Sequence, residues 1–286
     1  MISSLSSTGR KLVFAALSLY SVLVIYPMVW LVGTSLKDSW FIFTKPWAFP
    51  TSPHWVNYSN AMVKGDLHLK FGISVGVVVV SLFFILSFSA MAAYALSRFQ
   101  FSGRGALYTT FLSGMTIPVF LAAIPLFIMM KDMKFSQDGK SLIDSLAGLT
   151  LVYIAYSLSF TIFILHGFFK GLPGELAEAA AIDGCGPFRT FFQIMLPLSV
   201  PGLVTAGIFN AIGLWNEYPL ALLLTTDSSR ETLPLGIAAL TTSQKYQADW
   251  GALFAGLTIG VLPTVIAYVF FQRHIQSGMT AGAVKG

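Results

Sequence analysis

Long apolar runs alternate with shorter polar stretches along this chain. A helix needs about 20 mainly apolar residues to cross the hydrocarbon layer of a bilayer. Six stretches reach that length: residues 12–34, 71–96, 106–130, 142–163, 198–224 and 252–271. Backbone polar groups in lipid must be satisfied within the chain, so these runs are predicted to be helices. The first run follows Arg10 and Lys11. It is too long for the core of a signal peptide, and Ser35, Leu36 and Lys37 offer no small-x-small cleavage site after it, so a retained span is expected. The third run holds Pro118 and Pro125, tolerated in membrane helices and expected to mark bends.

Composition agrees. Hydrophobic residues make up 55% of the 286 residues and charged residues 10%, against roughly 25% charged in soluble domains. A fold this apolar suits the bilayer as solvent, and the 25 Phe are in keeping with lipid-facing surface. The net charge of +5 does not point to nucleic acid: Lys and Arg sit between the apolar runs, where anionic lipid or partner proteins are the fitting company. The single cysteine, Cys185, supports neither a disulfide framework nor a cysteine metal site.

Six spans put both termini on one side. Grouped with residues 97–105 and 164–197, that side carries Arg10, Lys11, Arg98, Arg104, Lys170, Arg189, Arg273 and Lys285, against nine basic residues opposite. The total does not orient the chain. Arginine leans, with only Arg230 of the six on the other side, which favours termini inside.

The connecting stretches differ in kind. Residues 35–70 are rich in aromatics and proline, including Trp40, Trp47, Pro50, Pro53 and Trp55, as at membrane interfaces. Residues 225–249 read as a polar loop. Residues 167–197 have a helical grammar of their own. Pro173 suits a helix start, Glu175 and Glu178 favour a first turn, and Ala177 and Ala179 to Ala181 are strong helix formers. Gly184 can supply a left-handed cap, Pro187 opens a second short helix over 188–195, and Pro197 is expected to end it. Two short helices meeting at an Asp183–Gly184 corner make a small-faced shape that fits a groove on another protein. An amphipathic helix resting on the membrane is the other reading of the same residues.

Glu178-Ala179-Ala180, Asp183-Gly184, Phe191 or Phe192, Ile194, Leu196-Pro197 and Pro201 resemble the EAA motif of the inner-membrane permeases of binding-protein-dependent ABC importers. Cys185 stands where that family usually has Ala. Trp215-Asn216-Glu217-Tyr218 resembles a run of the sugar branch, and the tail from Phe271 through Gly278 to Gly286 resembles that of MalG-like sugar permeases. The resemblance implies an all-α polytopic membrane protein with a MetI-like permease fold, a single domain over 1–286. It implies a cytoplasmic coupling loop at 171–201 and a cytoplasmic tail at 272–286. Glu178, Ala179, Ala180, Asp183, Gly184 and Phe188 would then couple the chain to a separate ATPase. Further implied are a second, MalF-like permease subunit, an ABC ATPase dimer carrying ATP and Mg, an extracytoplasmic sugar-binding protein, and a bacterial or archaeal inner membrane.

Other chemistry is not expected here. Gly139-Lys140-Ser141 would need Gly at position 134 to complete a phosphate loop, and Lys134 stands there, so ATP hydrolysis belongs to another chain. His54, His68, His166 and His274 show no ligand spacing, no nucleophile arrangement appears, and no metal, cofactor or catalytic residue is expected of this chain. Gly72-x3-Gly76 and Gly256-x3-Gly260 read as close helix packing, within the subunit or against a partner. Glu217 lies in an apolar run with Asn210, Trp215 and Asn216 nearby, a set suited to sugar hydroxyls and C–H faces. Tyr153 and Tyr156 are further candidates for the pathway. The same glutamate can instead hold a partner subunit or cap a broken helix. The alternatives are an ABC permease for a non-sugar solute and an ion-coupled secondary transporter. The latter predicts paired interrupted helices and several intramembrane charges, of which the sequence offers essentially Glu217.

Overall fold

The computed structural model describes residues 6–133, 141–247 and 249–283, with the backbone alone for 242–247 and 274–283. The Gly139–Lys140 loop and the last three residues of the tail lie outside the described residues. The regular elements among the described residues are helical. Four helices are long and apolar enough to cross a membrane: α1 (Ser7–Ser35), α4 (Leu67–Arg98), α7 (Leu146–Gly171) and α14 (Trp250–Ala283). Between α1 and α4 lie the short helices α2 (Ser39–Thr44) and α3 (Val56–Ser59). The number of spans becomes six when each of two bent pairs counts as one.

The third and fifth of the six runs are bent; in the third a bend falls at Pro118, as expected, and none at Pro125. The third run is not one rod. Helix α5 (Arg104–Gly114) and α6 (Val119–Asp132) meet at 98°. Pro118, extended at φ −60° and ψ 127°, causes the break, whereas Pro125 sits inside α6 without ending it. The fifth run is broken at both ends. The segment Pro187–Leu198 meets α11 (Val200–Trp215) at 70°, and α11 stops before α12 (Pro219–Leu224). Residue 219 has no N–H to continue the ladder, so a new helix starts with proline in its first turn. The fourth run begins later than residue 142, because Asp144 takes a positive φ of 55° and the Ser145 side chain caps Gly148 N–H. The polar stretch 225–249 also holds a helix, α13 (Leu233–Gln247). Its Leu233, Ile237 and Leu240 recur at helical spacing, a pattern hidden by the surrounding Thr and Ser.

Contacts divide the chain into two units, one drawn from Met1–His68 and Gly236–Leu262, the other from Leu69–Leu235 and Pro263–Gly286. In the first unit the aromatic stretch folds around buried polar anchors. Asn57 donates to the carbonyls of Ser35 (2.8 Å) and Lys37 (2.7 Å), and Trp30 Nε1 donates to Pro46 O at 2.9 Å. Trp30 also meets Phe254 edge-on, and Asn60 donates to Asp249. Burial holds the Lys37 amine below its usual range; it donates to the carbonyls of Lys45 and Pro46. Trp40, Trp47 and Trp55 stay exposed, as an interfacial role requires. Helix α1 buries only Thr34 and Ser35. Gly256 and Gly260 are pressed against Leu67 and Ile237, so this glycine pair does serve close packing.

The second unit holds two apolar cores. One joins Val77, Ile85, Leu149, Tyr153, Leu220 and Leu224; the other joins Ala93, Tyr94, Leu165, Phe169, Phe191 and Met195. Gly72 and Gly76 have open space where a Cβ would point. They border an apolar cavity of about 790 Å³ with Leu146, Thr150 and Ile154, so packing within the subunit is not their role. Helix α7 packs on α11 at Gly202, where an added Cβ would lie 2.5 Å from the Phe168 ring. Gly202→Ala is therefore expected to destabilise the subunit by about 1–3 kcal/mol through overpacking. A lowered thermal midpoint in detergent, recovered by adding Phe168→Leu, checks this.

Candidate functional site

The segment after α7 folds into a compact helical corner. Helix α8 (Glu175–Ile182) starts two residues beyond Pro173, with Gly174 O accepting the amides of Ala177 and Glu178. Its acidic first turn, Glu175 and Glu178, lies at the positive end of the helix dipole. Its C-terminus closes as the glycine pattern predicts. Gly184 takes φ +76°, Cys185 N–H returns to Ala180 O at 2.8 Å, and Gly184 N–H returns to Ala181 O at 3.1 Å. This paired closure satisfies two orphan carbonyls and needs a residue that tolerates the left-handed region.

The return limb starts at Pro187 with α9 (Pro187–Thr190), as expected, but Pro197 does not end it. The backbone widens by one residue per turn over Phe191–Met195 and continues through α10 (Leu196–Leu198). Pro197 has no amide to give, and the widening falls just ahead of it.

Burial sorts the motif residues. Ala180 faces inward at 3% exposure, with Leu176 and Ala177 packed beside it on the core that contains Phe169 and Phe191. Glu178, Ala179, Asp183 and Gly184 face outward. Two large apolar side chains stand free on either side of the corner: Ile182 at 87% and Phe188 at 81% exposure. The motif pointed to Phe188. Ile182 was missed, although a signal existed: it lies about 200° around the helix from Ala180, out of phase with the Leu176–Ala177–Ala180 stripe. The corner thus presents two large apolar side chains at its surface.

The residues proposed for the pathway do not form one open site. Asn210 is buried, donating to Thr161 Oγ1 at 2.9 Å and to Ala206 O. Trp215 is buried edge-on to Phe71. The Glu217 carboxylate caps the broken helix: it accepts Leu220 N–H at 2.7 Å and Ala221 N–H at 3.1 Å, and the buried Tyr153 hydroxyl donates to it at 2.8 Å. Asn216 is exposed and donates to Ile212 O and Thr264 Oγ1; Tyr156 is exposed at 57%.

A second polar cluster, missed in the sequence, ties the start of α7 to the loop after α12. Asp144 accepts Thr226 N–H, Thr226 Oγ1–H at 2.6 Å and Asp227 N–H at 2.8 Å, while Arg230 donates to its carbonyl. Lys70 on α4 pairs with Glu231 at 2.7 Å, and Ser74 accepts Leu233 N–H. Burial would raise the Asp144 carboxyl. The bonds from Thr226 and Asp227 and the charge of Arg230 outweigh it and hold the group below its ordinary 3.8. A depressed carboxyl stabilises the fold above its unfolded-state value, and that contribution is lost as pH falls through the lower folded value. Asp144→Asn is expected to lower stability at neutral pH by about 1–2 kcal/mol. Its deficit relative to the native chain should shrink below pH 3.8, which thermal unfolding at two pH values measures.

Apolar helices, two of the runs sharply bent, with a helical corner that carries exposed apolar side chains, define a multi-pass membrane protein. The chain belongs to the family described as binding-protein-dependent transport system inner membrane component, which it matches over residues 85–281. It is 41% identical to the diacetylchitobiose uptake system permease protein NgcG of Streptomyces coelicolor, over 98% of this chain and 91% of that protein. It is 31% identical to the trehalose/maltose transport system permease protein MalG of Thermococcus litoralis, over 97% of each. Its fold matches, at TM-score 0.80 and 20% identity, a chain in the crystal structure of a bacterial ABC transporter involved in import of the acidic polysaccharide alginate, covering 94% of this chain and 98% of that one. It is a membrane-spanning permease subunit of the ABC importer type. The structure does contain interrupted helices, the feature a secondary transporter would share, and family membership decides between the two.

Proposed function

We propose that this permease forms half of a translocation pathway for a sugar or oligosaccharide, and that residues 171–201 dock on a separate ATPase subunit. The observation that carries the reading is the exposed Ile182–Phe188 pair beside the left-handed Gly184, on a corner whose other face is anchored in the core. An apolar pair of this kind seats in a cleft, and the acids Glu178 and Asp183 with Ala179 form its polar and small-residue rim. A second, MalF-like permease completes the pathway, an ATPase dimer binds ATP and Mg beneath the pair, and an extracytoplasmic binding protein delivers the sugar. This chain binds no cofactor of its own. The arginine bias favours cytoplasmic termini in the inner membrane, with the tail 272–286 on the same side as the corner.

The sugar class is supported by the names of the relatives, which take up diacetylchitobiose, trehalose or maltose. Exposed Tyr156 and Asn216 offer a ring face and an amide to such a substrate, whereas Asn210, Trp215 and Tyr153 are buried and Glu217 caps α12. Transport then follows from differential stabilisation of two conformations: ATP closes the ATPase pair, the corner follows, and the cavity changes sides.

Co-purification tests this. The tagged chain, expressed with its neighbouring genes and extracted in mild detergent, should bring down an ATPase and a second permease. Hydrolysis should rise when binding protein loaded with diacetylchitobiose, trehalose or maltose is added. An intact set of subunits from which the ATPase is absent would overturn the reading.

A further inference from the structure

A device capable of carrying motion from the corner into the helices lies in one residue that no motif marks. Arg98 is the last residue of α4. Its Nη2 donates to Phe169 O at 2.7 Å and to Leu172 O at 2.6 Å. Phe169 lies in the final turn of α7 and Leu172 is its C-cap, where the helix dipole concentrates negative potential; Leu172 N–H also reaches Phe169 O, at 3.3 Å. Leu172 lies three residues ahead of α8. The guanidinium of α4 therefore holds the entry to the corner.

The exit is held from the same helix one turn earlier. Tyr94 packs on Phe191, the first residue of the widened turn, at 4.9 Å between ring centroids, and on Phe169 at 5.6 Å. All three rings are buried. Both limbs of the corner are thus fastened to the last turns of α4, by a charge-assisted pair of hydrogen bonds at one limb and an aromatic cluster at the other. At its opposite end the same helix is fastened again, through Lys70 to Glu231 and Ser74 to Leu233. From Lys70 to Arg98 the rod is about 42 Å long, and it contains no proline. A continuous helix of that length is stiff enough to transmit displacement rather than absorb it.

We propose that Arg98 is a positioning residue for energy coupling: it fixes the corner to α4, so that displacement of α8 reaches the loop 225–235 at the far end of the rod. The inference rests on the reading that α8 docks on an ATPase. Arginine suits the position because its Nη2 alone reaches both carbonyls, and a lysine amine ends one bond shorter. Deleting the guanidinium leaves the aromatic cluster and the core in place, so the corner persists but is held at one limb only.

The test uses the assembled transporter in detergent, with ATP, Mg and vanadate as the probe. Amide hydrogen exchange is read over residues 69–74 and 225–235, with and without trapping. In the native complex, trapping is expected to change exchange there by about fivefold or more. In Arg98→Gln the change should fall below about twofold while ATP hydrolysis continues. In Arg98→Lys, which keeps the charge but stops one bond short of the Nη2 position, an intermediate change is expected. A purely structural arginine would lower the thermal midpoint and leave the nucleotide-dependent difference intact, and that result overturns the proposal. So does a native complex whose 69–74 segment ignores the nucleotide. If Arg98→Gln does not assemble, Arg98→Lys decides: a full nucleotide response in the lysine variant overturns the clamp. Absence of an ATPase from the native preparation would instead overturn the docking reading on which the clamp rests.

Discussion

Phe188→Asp is expected to leave the subunit folded and in the membrane while releasing the ATPase. At 81% exposure the ring contributes nothing to the subunit's own core, so its replacement costs little folding free energy. In a cleft on the partner it behaves as an aromatic anchor, where truncation typically costs about 2–4 kcal/mol, and a carboxylate forced into the same pocket adds desolvation. Affinity for the ATPase should fall by about 30-fold to 1,000-fold, and ATP-driven uptake with it. The measurement is the ratio of ATPase to permease in the purified complex, alongside the yield of permease in the membrane. Phe188→Leu, still apolar, should keep most of the association. An ATPase retained at full ratio by the aspartate variant would remove Phe188 from the interface and leave Ile182 as the test of whether the corner docks at all.

Glu217→Ala should have the largest effect on stability. The carboxylate accepts two amides at the start of α12, from Leu220 and Ala221, and the Tyr153 hydroxyl. Leu220, Ala221 and Tyr153 are all buried. Removing the acceptor strands three donors in an apolar setting, where each unsatisfied group is costly. A loss of about 3–5 kcal/mol is expected. Glu217→Gln keeps one acceptor oxygen and should lose about 1–2 kcal/mol, and Tyr153→Phe about 1 kcal/mol. The thermal midpoint of the purified complex measures all three. In a double-mutant cycle Glu217→Ala and Tyr153→Phe should be strongly non-additive, because they share one hydrogen bond. If Glu217→Gln instead altered sugar preference at unchanged stability, the carboxylate would belong to the pathway and capping would be secondary.

The sequence made the membrane class plain because run length and hydropathy are local quantities. The left-handed Gly184 was legible for a similar reason: an alanine-rich helix followed by glycine leaves few ways to close. Breaks within apolar runs were harder. Pro118 and Pro125 look alike in one dimension, yet the first follows Thr116 and Ile117 at a 98° bend and the second sits inside α6. Glu217 shows the same limit from another side. An acid in an apolar run announces that it has a partner but not which one, and here the partners are amides three and four residues ahead and a tyrosine from a different helix. The contacts of Asp144 and Arg98 join residues more than 70 positions apart, a distance at which no single-sequence pattern speaks.

Helix α1, apolar along its length and burying only Thr34 and Ser35, bears on how the protein is made. A segment that needs no folded neighbour can leave the translocation channel sideways into lipid as soon as it is synthesised. With Arg10 and Lys11 ahead of it, it can fix the topology of every helix translated afterwards. It is synthesised before the other described helices, those of the corner at α8 and α9 included.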